Sequence, residues 1–287
     1  MVAAGLILEG GGMRGIYTTG ILDYFLEHDL FFAEIYGVSA GACHACSYLS
    51  RQFRRAFRIS VDYLDDPRYC SVRSLLRTGD LFGVKMCYEL IPKVLHPYDY
   101  GAFAHHPGRF YAVVTNCATG QPEYMEVRDM EEDINAVRAS ASLPLLSRMV
   151  PIGDNLYLDG GLSDSIPLRR SIESGNEKNV VILTRPVGYR KKPNRTIGMS
   201  AARYARFPRL VEVMANRHAA YNETLDYIDQ LEKEGRIFVF RPDETEGINR
   251  IERDRKKLQA LYTKGYRDAQ AGYAKMMEYL GHESGSY

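Results

Sequence analysis

Ala3-Ala4-Gly5-Leu6-Ile7-Leu8-Glu9 runs straight into Gly10-Gly11-Gly12-Met13-Arg14-Gly15, and the reading of that junction decides the fold. The apolar run is the right length for a buried strand. It is too short for a secretory signal and has no basic residues before it. From about Arg14 to His28 an amphipathic pattern follows, with Tyr17, Ile21, Leu22, Phe25 and Leu26 on one stripe. Ala33-Glu34-Ile35-Tyr36-Gly37-Val38 reads as a second strand, and Ser39 onward as a helix of small residues. Strand, glycine loop, helix, strand, turn, helix is the opening of a parallel α/β sheet.

Further along, Tyr111–Asn116 and Glu123–Val127 read as a hairpin around Gly120-Gln121-Pro122. Asn155–Leu158 is a short strand stopped by Asp159-Gly160-Gly161, and Val180–Thr184 is another. Helices are expected over 51–64, 84–95 and 129–141. After about residue 195 the pattern turns helical, over 207–234 and 251–280, with one strand at Ile237–Phe240 between. Arg190–Arg195 looks like an exposed basic loop. The expectation is a catalytic α/β domain over 1–190, with 191–287 a mostly helical cap packed on it rather than an independent unit.

Of the 287 residues, 45% are hydrophobic and 25% charged, which excludes wholesale disorder. The formal charge of +1 argues against a nucleic-acid binder, which carries a clear basic excess. Five cysteines is too odd and sparse a count for a disulfide framework and fits a reducing cytoplasm. No apolar run approaches a membrane span.

Three short motifs carry chemistry. In Gly10–Gly15 the absence of Cβ atoms lets several N–H groups converge ahead of a helix N-terminus. Such a place takes an anion, either a phosphate or a developing oxyanion, unless it is only a tight turn. Gly10, Gly12 and Gly15 also fit G-x-G-x-x-G, and Glu34 lies near where a dinucleotide fold places its ribose-binding acid. A dinucleotide-binding oxidoreductase is therefore a rival reading. Gly37-Val38-Ser39-Ala40-Gly41 puts a serine on a sharp strand-to-helix turn, with the Ala40 N–H free to face an oxyanion. Asp159-Gly160-Gly161 is either a plain turn or a carboxylate at a strand end aimed at Ser39. Serine needs a base. Of the seven histidines only His218 and His282 follow Asp159, and neither has a catalytic context.

In order and spacing, the three motifs, with Ala139-Ser140-Ala141-Ser142-Leu143-Pro144 before the third, resemble the patatin-like phospholipases over roughly residues 4–185. The resemblance implies a parallel-rich sheet flanked by helices and a serine ester hydrolase of lipids with a Ser–Asp dyad. Ser39 would be the nucleophile and Asp159 its base. The loop Gly10, Gly11, Gly12, Met13, Arg14, Gly15, together with Ala40, would form the oxyanion hole, chiefly through Gly11 and Gly12. Gly37, Gly41, Gly160 and Gly161 would support the motifs. Arg14 would tie down the loop or add positive charge. No metal, calcium included, and no other cofactor is expected. A catalytically silent lipid-binding regulator is the second rival.

Other features have plainer readings. Arg51, Arg54, Arg55 and Arg58 share a helix face, first read as solvated and second as a transient contact with anionic lipid. The location expected is the cytoplasm, at times peripheral to a membrane. Cys43 and Cys46 read as packing beneath Ser39, and His105-His106 as an exposed loop. The apolar residues of 75–103 read as ordinary core, with an acyl pocket as the alternative. Tyr204, Phe207, Leu210, Val211 and Met214 have the spacing of a helix able to cap the site.

Overall fold

In the computed structural model, which describes residues 1–244 and 247–281, β1 (Val2–Leu8) and β2 (Phe32–Val38) pair in parallel. The remaining strands are β3 (Arg109–Asn116), β4 (Pro122–Glu126), β5 (Val150–Ile152), β6 (Asn155–Asp159), β7 (Asn179–Ile182) and β8 (Phe238–Phe240). They form one eight-stranded sheet in the order β5-β6-β3-β2-β1-β7-β8, with β4 also paired to β3. The run β3-β2-β1-β7-β8 is parallel, and β4, β5 and β6 join antiparallel.

The helices of the first half are α1 (Ile16–Glu27), α2 (Ala40–Leu49), α3 (Arg55–Asp62), α4 (Val72–Thr78) and α5 (Tyr100–Ala104). A π-helix spans Met86–Leu95 and contains Pro92. Then come α6 (Ile134–Ser140), α7 (Leu168–Glu173), α8 (Ile197–Arg203), α9 (Pro208–Lys233) and α10 (Arg255–Leu280). The fold is a mostly parallel sheet flanked by helices, with α9 and α10 as C-terminal additions.

Strand alternation divides the core in two. Leu6, Leu8, Val180 and Ile182 point to one face, where they meet Ile16, Ile21 and Phe25 of α1 and Leu258 and Leu261 of α10. Ile7, Val181 and Leu183 point to the other, where they meet Tyr221, Leu225, Ile228 and Leu231 of α9. Each such fully buried side chain contributes about 1.5–3 kcal/mol relative to exposure.

The single stripe expected on α1 is not what forms. Every residue from Ile16 to Phe25 is buried, because α10 lies across the face turned away from the sheet. The two helices touch backbone to backbone. A methyl on Gly265 would overlap the Tyr17 carbonyl, and one on Gly20 would sit 2.7 Å from the Tyr266 nitrogen. Tyr262 and Tyr17 donate hydrogen bonds across the joint to Asp23 (2.9 Å) and Asp268 (2.8 Å). Burial pushes the Asp23 carboxyl up to about 6. Gly265→Ala should therefore cost about 3 kcal/mol by overpacking, read as a drop in the urea midpoint. An unchanged midpoint would show that the joint is not close-packed.

Other boundaries also shift. The helix expected over 129–141 begins only at Ile134, because the Asp133 carboxylate accepts from the Arg128 and Asp129 amides and holds a turn there. The helix expected over 51–64 begins at Arg55, since Arg51 and Arg54 adopt positive φ. Strand β5 went unread because three residues containing Pro151 carry no usable period. It forms by pairing with β6 around Gly153 (φ +57°).

Candidate active site

The backbone of β3 brings the two key side chains together. Val38 pairs with Val113 and Asp159 with Val114, so the ends of β2 and β6 sit at successive positions on one strand. The Ser39 hydroxyl donates to Asp159 Oδ2 at 2.7 Å, across 120 residues of sequence. The Gly161 amide donates to Asp159 Oδ1 at 2.7 Å. The Asp159 backbone is fixed as well: its N–H donates to the Ser142 carbonyl (2.9 Å), and its carbonyl accepts from Thr115 Oγ1 (2.8 Å).

Ser39 sits at φ +56°, ψ −122°, between the end of β2 and the first residue of α2. This is backbone that an L-residue rarely adopts, at a cost of about 1–3 kcal/mol. It lifts the side chain off the strand end. The close turn is possible because a methyl on Gly41 would overlap the Leu8 carbonyl and one on Gly37 would sit 2.6 Å from Ala42 Cα. The Ser39 amide donates to Ser140 Oγ at 2.9 Å. Ser140 and Ser142, quoted above without individual roles, thus brace the serine and the aspartate.

The glycine loop leans on the serine. A methyl on Gly10 would lie 2.8 Å from Ser39 Cβ. Met13 gives its N–H to the Arg250 carbonyl (3.1 Å) and Arg14 gives its own to Gly11 (3.3 Å). Among the described residues the amides of Gly10, Gly11, Gly12 and Ala40 have no such acceptor. The Arg14 side chain is 5% exposed, and its Nε meets no hydrogen-bond partner there. Among the described residues this side chain makes no hydrogen bond to a loop carbonyl.

Burial raises the Asp159 carboxyl above the usual carboxylate range. The Arg217 guanidinium, the Ser39 hydroxyl and the Gly161 amide pull it partway back. Burial, followed by the Asp159 charge, pushes the Cys43 thiol up to about 12, so it stays a neutral packing group.

Two cavities meet at Ser39. One is an apolar chamber of about 400 Å³, whose walls include Ile59, Tyr69, Phe82, Ile91, Tyr98 and Val137. For the segment 75–103 ordinary core was the first reading and a pocket the alternative. Phe82, Val84, Tyr88, Ile91 and Tyr98 face this space. The other cavity is a narrow polar cleft running past Gly10–Gly12, Arg14 and Asp159.

By profile comparison, residues 6–171 match the family described as patatin-like phospholipase, which is more than half of the chain. The chain belongs to the patatin-like phospholipase family. A second profile, described as a domain of unknown function (DUF6363), matches residues 207–281. Among curated relatives, the uncharacterized protein YjjU of Escherichia coli (strain K12) is 26% identical over 83% of this chain and 68% of its own length. The "Probable lipid hydrolase 463L" of Invertebrate iridescent virus 6 is 23% identical over 61% of this chain and 65% of its own. The "Uncharacterized NTE family protein MT2641" of Mycobacterium tuberculosis is 26% identical over 57% of this chain, but only 27% of its own length. The solved structure of VipD from Legionella pneumophila overlays with a TM-score of 0.48 at 13% identity, covering 98% of this chain and 67% of that one.

Several expectations change. Glu34 cannot serve a dinucleotide at the glycine loop. It lies near the start of β2, away from the loop, and its carboxylate is taken by Tyr36, Ser174, Asn176 and Arg109. The four arginines do not form one solvated face. Arg55 is 6% exposed and donates to Ser47 and the His96 carbonyl, and Arg54 packs over Phe57 and Tyr262. Only Arg51 and Arg58 are exposed, paired with Asp29 and Asp62. Tyr204, Leu210 and Met214 pack with Cys117, Leu158 and Leu162 instead of capping the site. His218 is bonded to the Ala215 carbonyl (3.1 Å), and His282 lies outside the described residues. His105 is exposed as read, but His106 packs at a tilt against the Phe31 ring rather than standing free. Within the basic loop Lys191 turns inward, its Nζ 4.0 Å from the Tyr221 ring centroid. Among the described residues no helix is long and apolar enough to cross a membrane.

Proposed function

We propose that this protein hydrolyses carboxylic esters of lipids through an acyl-enzyme on Ser39. The 2.7 Å hydrogen bond from Ser39 to a buried Asp159 carries the reading, and membership of a family of lipid hydrolases supports it. Asp159 Oδ2 takes the hydroxyl proton as Ser39 Oγ attacks the ester carbonyl. The amides of Gly11, Gly12 and Ala40 receive the oxyanion, each donor being worth about 3–4 kcal/mol. The proton passes to the leaving alcohol, and Asp159 then draws a proton from the water that cleaves the acyl-enzyme. A carboxylate is a weak base for serine, so its raised affinity for protons matters. The apolar chamber, within the usual size range of ligand pockets, takes the acyl chain.

Residues 1–190 form the catalytic body and 191–287 an extension that does not stand alone. Strand β8 completes the sheet, and Arg250 holds the glycine loop. The five cysteines are unpaired, in keeping with a reducing cytoplasm. Contact with a lipid surface falls to the exposed Val94 and Leu95, which follow Lys93 of the chamber wall, rather than to a four-arginine face.

A fluorophosphonate probe should label wild type at Ser39, and a medium-chain nitrophenyl ester should turn over. The double variant His218→Ala/His282→Ala should match wild type in both. Loss of turnover in that variant replaces the dyad by a histidine triad, and a folded wild type that neither labels nor turns over removes the hydrolase reading.

A further inference from the structure

The second cavity at Ser39 is unlike the first. Five cationic side chains line it: Arg14, Arg185, Lys191, Arg217 and Arg250. Among the described residues none of them has an ion-pair partner or donates a side-chain hydrogen bond. Among the described residues the only two carboxylates in the cleft, Glu9 and Asp159, are already engaged. Glu9 accepts from Thr184 and Tyr221, and Asp159 from Ser39 and Gly161.

Arg250 is exposed, but the rest of this charge is partly or wholly withdrawn from solvent. Arg14 is 5% exposed, and Arg14 Nε and Arg217 Nε are buried without a hydrogen-bond partner. Arg217 Nη2 lies beside the dyad: a methyl on Gly161 would be 3.1 Å from it and 3.0 Å from Asp159 Oδ1. Burial, then Arg217 and Arg250, bring the Lys191 ammonium down to about 7, and burial, then Arg185, brings Arg14 down to about 10. Cations crowded against one another beside a nucleophile leave the site short of an anion. Guanidinium groups bind phosphate oxygens bidentately.

We infer that this cleft is a leaving-group subsite selecting esters whose alcohol carries an uncapped phosphomonoester. This rests on the hydrolase reading above. A phosphomonoester dianion offsets most of the excess charge. A zwitterionic headgroup brings a second cation into the same cluster, and a neutral glyceride offsets nothing. In the reaction the Ser39 Oγ–acyl bond forms and the acyl–alcohol bond breaks. The phosphorylated alcohol leaves with the proton from Asp159, and water releases the fatty acid. The cleft is about 30 Å³, near the size of one water. Entry therefore requires Arg185, Lys191 and Arg250, which are not fully buried, to swing out and close on the phosphate. Lys191, Arg217 and Arg250 all lie in the C-terminal extension, which gives that region a chemical role.

The test compares kcat/KM for a lysophosphatidic acid, a lysophosphatidylcholine and a monoacylglycerol of one acyl chain, using wild type and Lys191→Gln/Arg250→Gln. Wild type should favour the phosphomonoester by about 10-fold or more, the scale of one or two charged hydrogen bonds, and the double variant should bring the ratio towards unity. Equal rates on all three by wild type, or an unchanged ratio in the variant, overturns the inference while leaving the hydrolase reading standing. Glycerol 3-phosphate and inorganic phosphate, added alone, separate headgroup from free anion. Glycerol 3-phosphate should raise the melting temperature of wild type more than inorganic phosphate does, and should leave the variant's unchanged. No shift in wild type with either overturns the inference even if no ester proves to be a substrate.

Discussion

Asp159→Asn should leave a folded protein whose ester turnover is lowered roughly 10²–10⁴-fold, the usual weight of a general base. Asparagine fits both contacts. Its Oδ1 can accept from the Gly161 amide and its Nδ2 can donate to Ser39 Oγ, but it cannot take a proton. In wild type the same requirement sets the acid side of the pH profile. Burial raises the Asp159 carboxyl above the ordinary value of about 4. Turnover should therefore begin to fall with decreasing pH above the range of a free carboxylate. The sign for stability is opposite. A carboxyl whose folded pKa is raised favours the fold below its unfolded pKa, and that advantage is lost as pH rises through the folded value. At neutral pH the variant should melt at or above wild type, with the gap closing on acidification. Melting at pH 7 and at pH 4 decides this: a lower melting temperature for the variant at pH 7 would mean the charged carboxylate stabilises the fold.

Ser39→Ala and Ser39→Gly should both abolish turnover, by about 10⁴-fold or more, yet differ in stability. Alanine inherits φ +56°, ψ −122°. Glycine adopts it without strain, though its flexible unfolded state offsets part of the gain. The glycine variant should exceed the alanine variant by about 1 kcal/mol in urea unfolding. Equal midpoints would show that the elbow stores no strain.

What the sequence reveals follows from how local each signal is. The elbow around Ser39 and the glycine loop are legible because each is a strand, a sharp turn and a helix in immediate succession. Asp159 is legible only in company, since Asp-Gly-Gly alone reads as a turn. The apolar chamber is legible only as one of two alternatives, because Phe82, Ile91 and Tyr98 carry the same pattern whether they pack against atoms or enclose space. The cationic cleft is invisible for another reason. Arg14, Arg185, Lys191, Arg217 and Arg250 share no period, and the overall charge of +1 hides their concentration. Arg55 shows the reverse error: helical spacing placed it outward with Arg51 and Arg58, but Tyr98 and Ser47 hold it inside.

The ladder of β3 has a meaning for change over time. Because Val113 and Val114 fix the ends of β2 and β6 side by side, the separation of Ser39 and Asp159 is set by backbone pairing rather than by the length of chain between them. The segment between α3 and β3, which contains the π-helix and much of the chamber wall, lies outside that ladder and can lengthen or shorten without moving it. Under the proposed function, acyl chain-length preference can then drift or be re-engineered in that segment while Ser39 and Asp159 keep their spacing.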